Sequence, residues 1–250
     1  MSDKSIKVAV IGAAGRMGST VCDAVDLAPD TELVGRFDVG DDLGGLGGAD
    51  VVVEFSVPDA SLTNVTHCVE QGVHVVVGTT GWTEDKLDKL RKTVAAHKDV
   101  GVLIAPNFAI GAILMMRFAE QAARFYESVE VVELHHPNKV DAPSGTAART
   151  ADLIGEARKA AGLGPVPDAT TQDPEGARGG RFNGIPVHSV RLRGLVAHQE
   201  VLFGAEGELL TIRHDSLDRA SFMPGVLTGV RQVAGHPGVT IGLENYLGLS

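Results

Sequence analysis

The segment Glu133-Leu-His-His-Pro-Asn-Lys-Val-Asp-Ala-Pro-Ser-Gly-Thr-Ala147 gathers His135, His136, Lys139 and the start of a helix into one short span. Ser144 reads as the helix N-cap. Gly145 and Thr146 then offer first-turn N–H groups, aimed along a favourable dipole, to a carboxylate. Position 147 is alanine, so no acidic side chain reaches back to compete for those groups. A proton and an anion can both be handled in such a place. A His-His pair by itself is more often structural or a metal ligand. Neighbouring strand residues point to opposite faces, so both rings reach one pocket only where the strand has ended, and Pro137 marks such an end.

A second chemical signal lies near the start of the chain. Gly12-Ala13-Ala14-Gly15-Arg16-Met17-Gly18 follows an apolar run and opens a helical pattern, as in a turn that cradles a pyrophosphate on backbone N–H groups. Ala14 stands where the commoner G-x-G-x-x-G turn has glycine, so the context carries more weight than the motif. Asp38 ends the second apolar run, placed to accept hydrogen bonds from an adenosine ribose. Its charge disfavours a 2′-phosphate, which Arg16 in the turn could pair with, and Arg36 has a less certain direction. Both NADH and NADPH are therefore expected to serve. Gly78-Thr79-Thr80-Gly81 and Ala105-Pro106-Asn107-Phe108 are two more loops at strand carboxyl ends, where open α/β sheets bind ligands.

The elements that must position these groups follow from periodicity. Short apolar runs at 6–11, 32–37, 51–55, 73–77 and 100–104 alternate with helical stretches at 16–27, 59–70 and 85–97, which implies a parallel sheet covered on both faces. After Pro106 the texture changes. A helix is expected at 110–126, a strand at 129–134, a helix at 144–160 and a long loop at 162–184, with Gly176, Gly179 and Gly180 as hinges. Runs at 186–195, 198–203 and 208–214 read as an antiparallel meander, and 217–233 as a closing helix. The fold class is α/β, with the phosphate-cradling turn in its N-terminal part and a different texture after Pro106.

The formal net charge of -10 argues against a nucleic-acid surface, so an anionic ligand must be held by a local cationic cluster. Cys22 and Cys68 lack metal-binding spacing, and no metal is expected. Reduced cysteines, the apolar strand that follows a short polar lead, and the lack of any apolar run long enough to cross a bilayer suggest a cytoplasmic protein with no membrane partner.

In their order, Gly-Ala-Ala-Gly-Arg-Met-Gly, Val-Gly-Thr-Thr-Gly, Ala-Pro-Asn-Phe and His-His-Pro-Asn-Lys-Val-Asp-Ala-Pro-Ser-Gly-Thr-Ala resemble the signatures of dihydrodipicolinate reductases. Arg193-Gly, the segment from Gly194 to Phe203, and 214–219 continue the likeness over almost the whole chain, which looks actinobacterial. The resemblance implies cofactor contacts at Gly12, Ala13, Ala14, Gly15, Arg16, Met17, Asp38, Gly78, Thr79, Thr80, Ala105, Pro106, Asn107 and Phe108. It implies His135 as proton donor and acceptor, Lys139 as a proton donor, and His136, Gly145 and Thr146 as contacts to substrate carboxylates, with Ser144 at the same helix start. Trp82 departs from the phenylalanine of many members. The implied domains are an N-terminal Rossmann dinucleotide-binding domain of 1–106 with 216–250, and a second α+β domain of 107–215 for substrate and assembly into a homotetramer. The implied reaction is hydride transfer from NADH or NADPH to a small cyclic dicarboxylate on the route to diaminopimelate and lysine. The rival readings are a semialdehyde or hydroxy-acid dehydrogenase and a non-catalytic dinucleotide sensor.

Overall fold

The computed structural model describes residues 5–249. In chain order its main elements are β1 (Ile6–Ile11), α1 (Arg16–Leu27), β2 (Thr31–Phe37), β3 (Val51–Glu54), α2 (Pro58–Glu70), β4 (His74–Val77), α3 (Glu84–Ala96), β5 (Gly101–Ile104), α4 (Ile110–Ala122), β6 (Ser128–His135), α5 (Gly145–Ala160), β7 (Gly180–Phe182), β8 (Ile185–Arg191), β9 (Ala197–Ala205), β10 (Glu208–Ser216), α6 (Met223–Gln232) and β11 (Gly238–Ile241). The chain divides into two compact units, with boundaries after Ile110 and after Asp218. These lie a few residues beyond the boundaries read from sequence.

The first unit is a six-stranded sheet ordered β11-β5-β4-β3-β1-β2, with every neighbouring pair parallel. Its central strands read as unbroken apolar runs because both faces are covered. On one face Ala9, Val52, Val75 and Val102 pack with Val65 and Cys68 of α2 and Leu90 of α3. The other face takes α1 and α6, whose Gly229 lies against Val76 and Leu103. Cys22 and Cys68 are free thiols buried in this unit, and burial pushes the Cys68 thiol up to about 12.

The second unit is a five-stranded sheet ordered β10-β9-β6-β8-β7. Here β6 is parallel to β8 on one side and antiparallel to β9 on the other. The expected meander is thus corrected: β9 and β10 form a hairpin, but β6 stands between β8 and β9. Local turn signals cannot show a strand inserted from earlier in the chain. Period-two alternation along β6 sends Val129, Val131 and Glu133 into the core, where the two valines meet Val187, Val201 and Phe203 beneath Ala147, Ala151 and Ile154 of α5.

Other expectations are also revised. The 162–184 loop contains a short 3₁₀ turn at Pro174–Gly176 and the edge strand β7, too short to show a period. α6 starts at Met223, where Pro224 suits a first turn, and a 3₁₀ turn over Arg219–Phe222 occupies the stretch before it. The four-residue β11, not foreseen, completes the first sheet beside β5. α4 stops at Ala122 rather than at 126, leaving the carbonyls of Tyr126 and Glu127 turned towards Arg158 of α5. That guanidinium is 5 % exposed and donates to Tyr126 O (2.6 Å), Glu127 O (2.9 Å) and Gly164 O (3.2 Å). Arg158→Met keeps the aliphatic stem but strips three carbonyls of their donor. Urea unfolding followed by circular dichroism should show a loss of about 3 kcal/mol; a change under about 0.5 kcal/mol would mean water replaces the donor without cost.

Candidate active site

In the first unit the turn between β1 and α1 is built by close backbone packing. The N–H groups of Gly12 and Ala13 both donate to Phe37 O (2.8 and 3.0 Å), which fastens the turn to the end of β2. Gly12 has φ 83°, and a Cβ there would stand 2.3 Å from Phe55 O. A Cβ on Gly18 would stand 1.9 Å from Gly12 O, so the helix can approach the turn only without a side chain. Gly15 is the N-cap of α1, and no side chain caps it, so the helix start presents its N–H groups to an outside acceptor.

Asp38 closes the same corner. One carboxylate oxygen accepts from Val39 N–H (2.9 Å) and the other from Ala14 N–H (2.8 Å), and these two bonds, Val39 first, hold the carboxyl below its ordinary value. Each oxygen keeps a second lone pair for a ribose hydroxyl. Arg16 is exposed at the start of α1, and Met17 is half-buried beside it. Arg36 turns instead to Asp26 of α1 at 2.9 Å, so its uncertain direction resolves into a surface ion pair.

Gly78, Thr79 and Thr80 follow β4, and Ala105, Pro106, Asn107 and Phe108 follow β5, so these loops share the carboxyl edge of the sheet with the β1–α1 turn. Trp82 Nε1–H donates to Thr79 O (3.0 Å), giving the indole a structural role in the loop. Asn107 Oδ1 accepts from Ala109 N–H (2.8 Å), and the buried Phe108 ring lies 5.8 Å from Phe55. Thr79 is 7 % exposed and its hydroxyl has no hydrogen-bond partner among the described residues. A buried orphan hydroxyl, an uncapped helix start and an acidic strand end along one edge fit a dinucleotide.

In the second unit β6 ends at His135, and His136 follows it, exposed. The two rings therefore part company. His135 Nδ1 is 2.5 Å from Glu133 Oε2, on the same face of β6. Glu133 is 0 % exposed and also accepts from Arg191 through both terminal nitrogens (2.8 Å each) and from Ser144 N–H (3.1 Å). Burial pushes the Glu133 carboxyl up, but the hydrogen bonds from Arg191, Ser189 and His135 outweigh it and leave the group below its ordinary value. Burial lowers His135, and the neighbouring Glu133 only partly opposes that.

Ser144 is buried and caps α5: its Oγ accepts from Ala147 N–H (3.1 Å), while its own N–H goes to Glu133. Gly145 is exposed and Thr146 half-buried in the first turn. Lys139 Nζ pairs with Asp141 at 2.8 Å, and that ammonium holds the Asp141 carboxyl below its ordinary value. The structure thus joins His135 to the start of α5 through one carboxylate, and keeps Lys139 on the connecting loop between them.

Three participants were not singled out from sequence. Glu133 and His135 are two apart on a strand, the spacing that puts both on one face, so period two could have found the first. Arg191 and Gln199 come from β8 and β9, and only the sheet order brings them in. Gln199 sits opposite Glu133 in the β6–β9 register and donates to Thr150 Oγ1 (2.8 Å), which donates to Thr146 O (2.8 Å) and so props the first turn of α5. Among the described residues no group of three or more His, Cys, Asp or Glu is arranged to hold a metal, and no helix is long and apolar enough to cross a membrane.

A parallel sheet with a phosphate-type turn and a separate unit in which a histidine is paired with a buried carboxylate define a two-unit, Rossmann-type oxidoreductase. The family models "Dihydrodipicolinate reductase, N-terminus" and "Dihydrodipicolinate reductase, C-terminus" match residues 6–108 and 111–247, and the chain belongs to this family. A relative named 4-hydroxy-tetrahydrodipicolinate reductase from Cutibacterium acnes is 63% identical over 98% of this chain and 99% of its own. Another of that name, from Nocardia farcinica, is 60% identical over 98% of this chain and 100% of its own. The solved dipicolinate-bound dihydrodipicolinate reductase from Paenisporosarcina sp. TG-14 is 38% identical and superposes with a TM-score of 0.85, covering 96% of this chain and 99% of that one.

The cap generates a direct test. Ser144→Ala should cost about 1 kcal/mol of stability in urea unfolding, the typical loss for an N-cap hydroxyl. Retention of full stability would show that the tether from Ser144 N–H to Glu133 alone holds this end of α5.

Proposed function

We propose that this protein reduces 4-hydroxy-tetrahydrodipicolinate, by way of its dehydrated ring, to tetrahydrodipicolinate with NADH or NADPH, a step of diaminopimelate and lysine biosynthesis. The observation that carries this reading is the junction of His135 with the start of α5 through the buried Glu133, in a chain 63% identical over nearly its full length to a reductase of that name. Bound nicotinamide supplies a hydride; the protein's own residues must hold a dianion and supply a proton.

Holding the dianion falls to the first turn of α5 and to nearby cations. Gly145 and Thr146 present N–H groups at the positive end of the helix dipole, Ser144 fixes the turn, and the exposed His136 opens the loop that leads to it. Lys139 adds an ammonium whose partner Asp141 lies on an exposed loop, so a substrate carboxylate can compete for it. On a protein of net charge -10 this cluster must supply the local attraction. His135 donates the proton, and Lys139 is a second donor within the same segment.

In the first unit we assign Gly12 to Met17 to the pyrophosphate, Asp38 to the adenosine ribose, and 78–80 and 105–108 to the remainder of the dinucleotide. The open face of the second sheet, which carries the exposed Leu202 and Leu209, is the surface we assign to homotetramer assembly. The two buried free thiols fit a reducing cytoplasm.

The decisive assay follows absorbance at 340 nm with substrate generated in situ. Wild-type protein should oxidise NADH and NADPH only when substrate is present. His135→Ala should lower kcat by about 100- to 10,000-fold with little change in cofactor affinity. Near-wild-type turnover in that variant would place the proton donor elsewhere, and a wild type that binds cofactor but never oxidises it would favour a sensor.

Cofactor choice gives a second test. With Arg36 committed to Asp26, Arg16 is left as the counterweight to Asp38. Exposed ion pairs contribute only about 0 to 1 kcal/mol, so kcat/KM for the two nicotinamides should differ by less than roughly a hundredfold. Arg16→Ala should selectively weaken NADPH, and Asp38→Ala should selectively weaken NADH. An Arg16 variant that loses both equally would show that the turn itself, rather than a 2′-phosphate contact, had been damaged.

A further inference from the structure

Glu133 lies on the same face of β6 as His135 and is completely buried. Arg191 grips both of its oxygens from the end of β8, and Ser144 N–H reaches one of them from the start of α5. Arg191 also donates to Asp141 O (2.7 Å), so the same guanidinium holds the loop that carries Lys139. A carboxylate receiving these donors is ionised, and an ionised carboxylate can only accept. The proton in the contact between His135 Nδ1 and Glu133 Oε2 therefore belongs to Nδ1.

We propose that Glu133 is a positioning residue for the reaction: it fixes His135 with Nδ1 protonated, so that Nε2 is the atom that gives up and regains the proton. Arg191 keeps Glu133 ionised and so keeps it an acceptor. This rests on the reductase reading for its kinetic consequence, but the assignment of the ring proton stands apart from it. No atom is added or lost: Nε2–H of the imidazolium passes its proton to the reduced ring, and the ring returns to the neutral form with hydrogen still on Nδ1.

The charged groups around His135 are Glu133 on its own strand, Arg191 on β8, and Lys139 on the following loop, with Asp141 behind the two cations. Only Glu133 directly favours the imidazolium among the first three. Removing its charge therefore lowers the pH at which His135 loses its second proton. The acid form is present below that point and lost above it, so the fall of kcat on the alkaline side must move towards acid pH.

Glu133→Gln should lower kcat by on the order of 100-fold or more, by analogy with buried carboxylates that set a catalytic tautomer. Its descending kcat limb should shift to lower pH, with the KM for NADH unchanged. A variant whose activity falls while that limb stays in place would reduce Glu133 to a structural strut and overturn the proposal. A second measurement needs no variant at position 133. In wild-type protein with 15N-labelled histidine, the neutral His135 ring, identified by its loss in His135→Asn, should show a protonated Nδ1 and an unprotonated Nε2. The opposite tautomer overturns the proposal even if Glu133→Gln fails to fold. A wild type inactive in the 340 nm assay would instead sink the reductase reading, and the ring measurement would still decide the positioning role.

Discussion

A fully buried carboxylate is costly unless its charge is met, and in this protein the second unit is arranged around meeting the charge of Glu133. Arg191 must come from β8, Ser144 from the start of α5, and His135 from the same strand. They are met because β6 lies next to β8, where the guanidinium can reach across. The pair is not there for stability alone: an apolar replacement of a buried ion pair is often neutral, whereas removing one partner costs about 3 to 5 kcal/mol. What the charge achieves is a shared reference point for the His135 ring and the start of α5.

The first unit solves a different problem with less charge. Its carboxyl edge is made of backbone brought into close contact, with Gly12 and Gly18 allowing β1, α1 and Phe55 to meet. Asp38 is tied into the same corner, because the bond from Ala14 N–H that orders the turn also orients the carboxylate. Arg36, by contrast, faces α1 and contributes to the surface.

Much of this was legible from residue patterns, and the limits have physical causes. The parallel strands announced themselves because burial on both faces forces apolar runs, and α5 was visible from its cap and helical period. β11 and β7 escaped because strands of four and three residues carry no period. The meander failed at β6, since sheet order depends on side-chain packing between segments far apart. Glu133 stood in the informative segment without a role because an acid on a strand ordinarily faces water, and its neutralising partner lies 58 residues later. Arg158 is a similar case: helix periodicity marks it as a basic residue of the last turn, while its burial depends on carbonyls from the segment between α4 and β6.

The sheet of the first unit has its strands supplied in two instalments. β1 to β5 lie before the second unit in the chain, while α6 and β11 come after it. During synthesis the early strands leave the ribosome with one face missing α6 and with β5 still an open edge, its backbone groups unpaired until Gly238–Ile241 arrives. The whole of the second unit is translated in that interval and, lacking no later strand, can complete its own sheet first. The sheet of the first unit is thus begun first and finished last, and its carboxyl edge is complete only once β11 is in place.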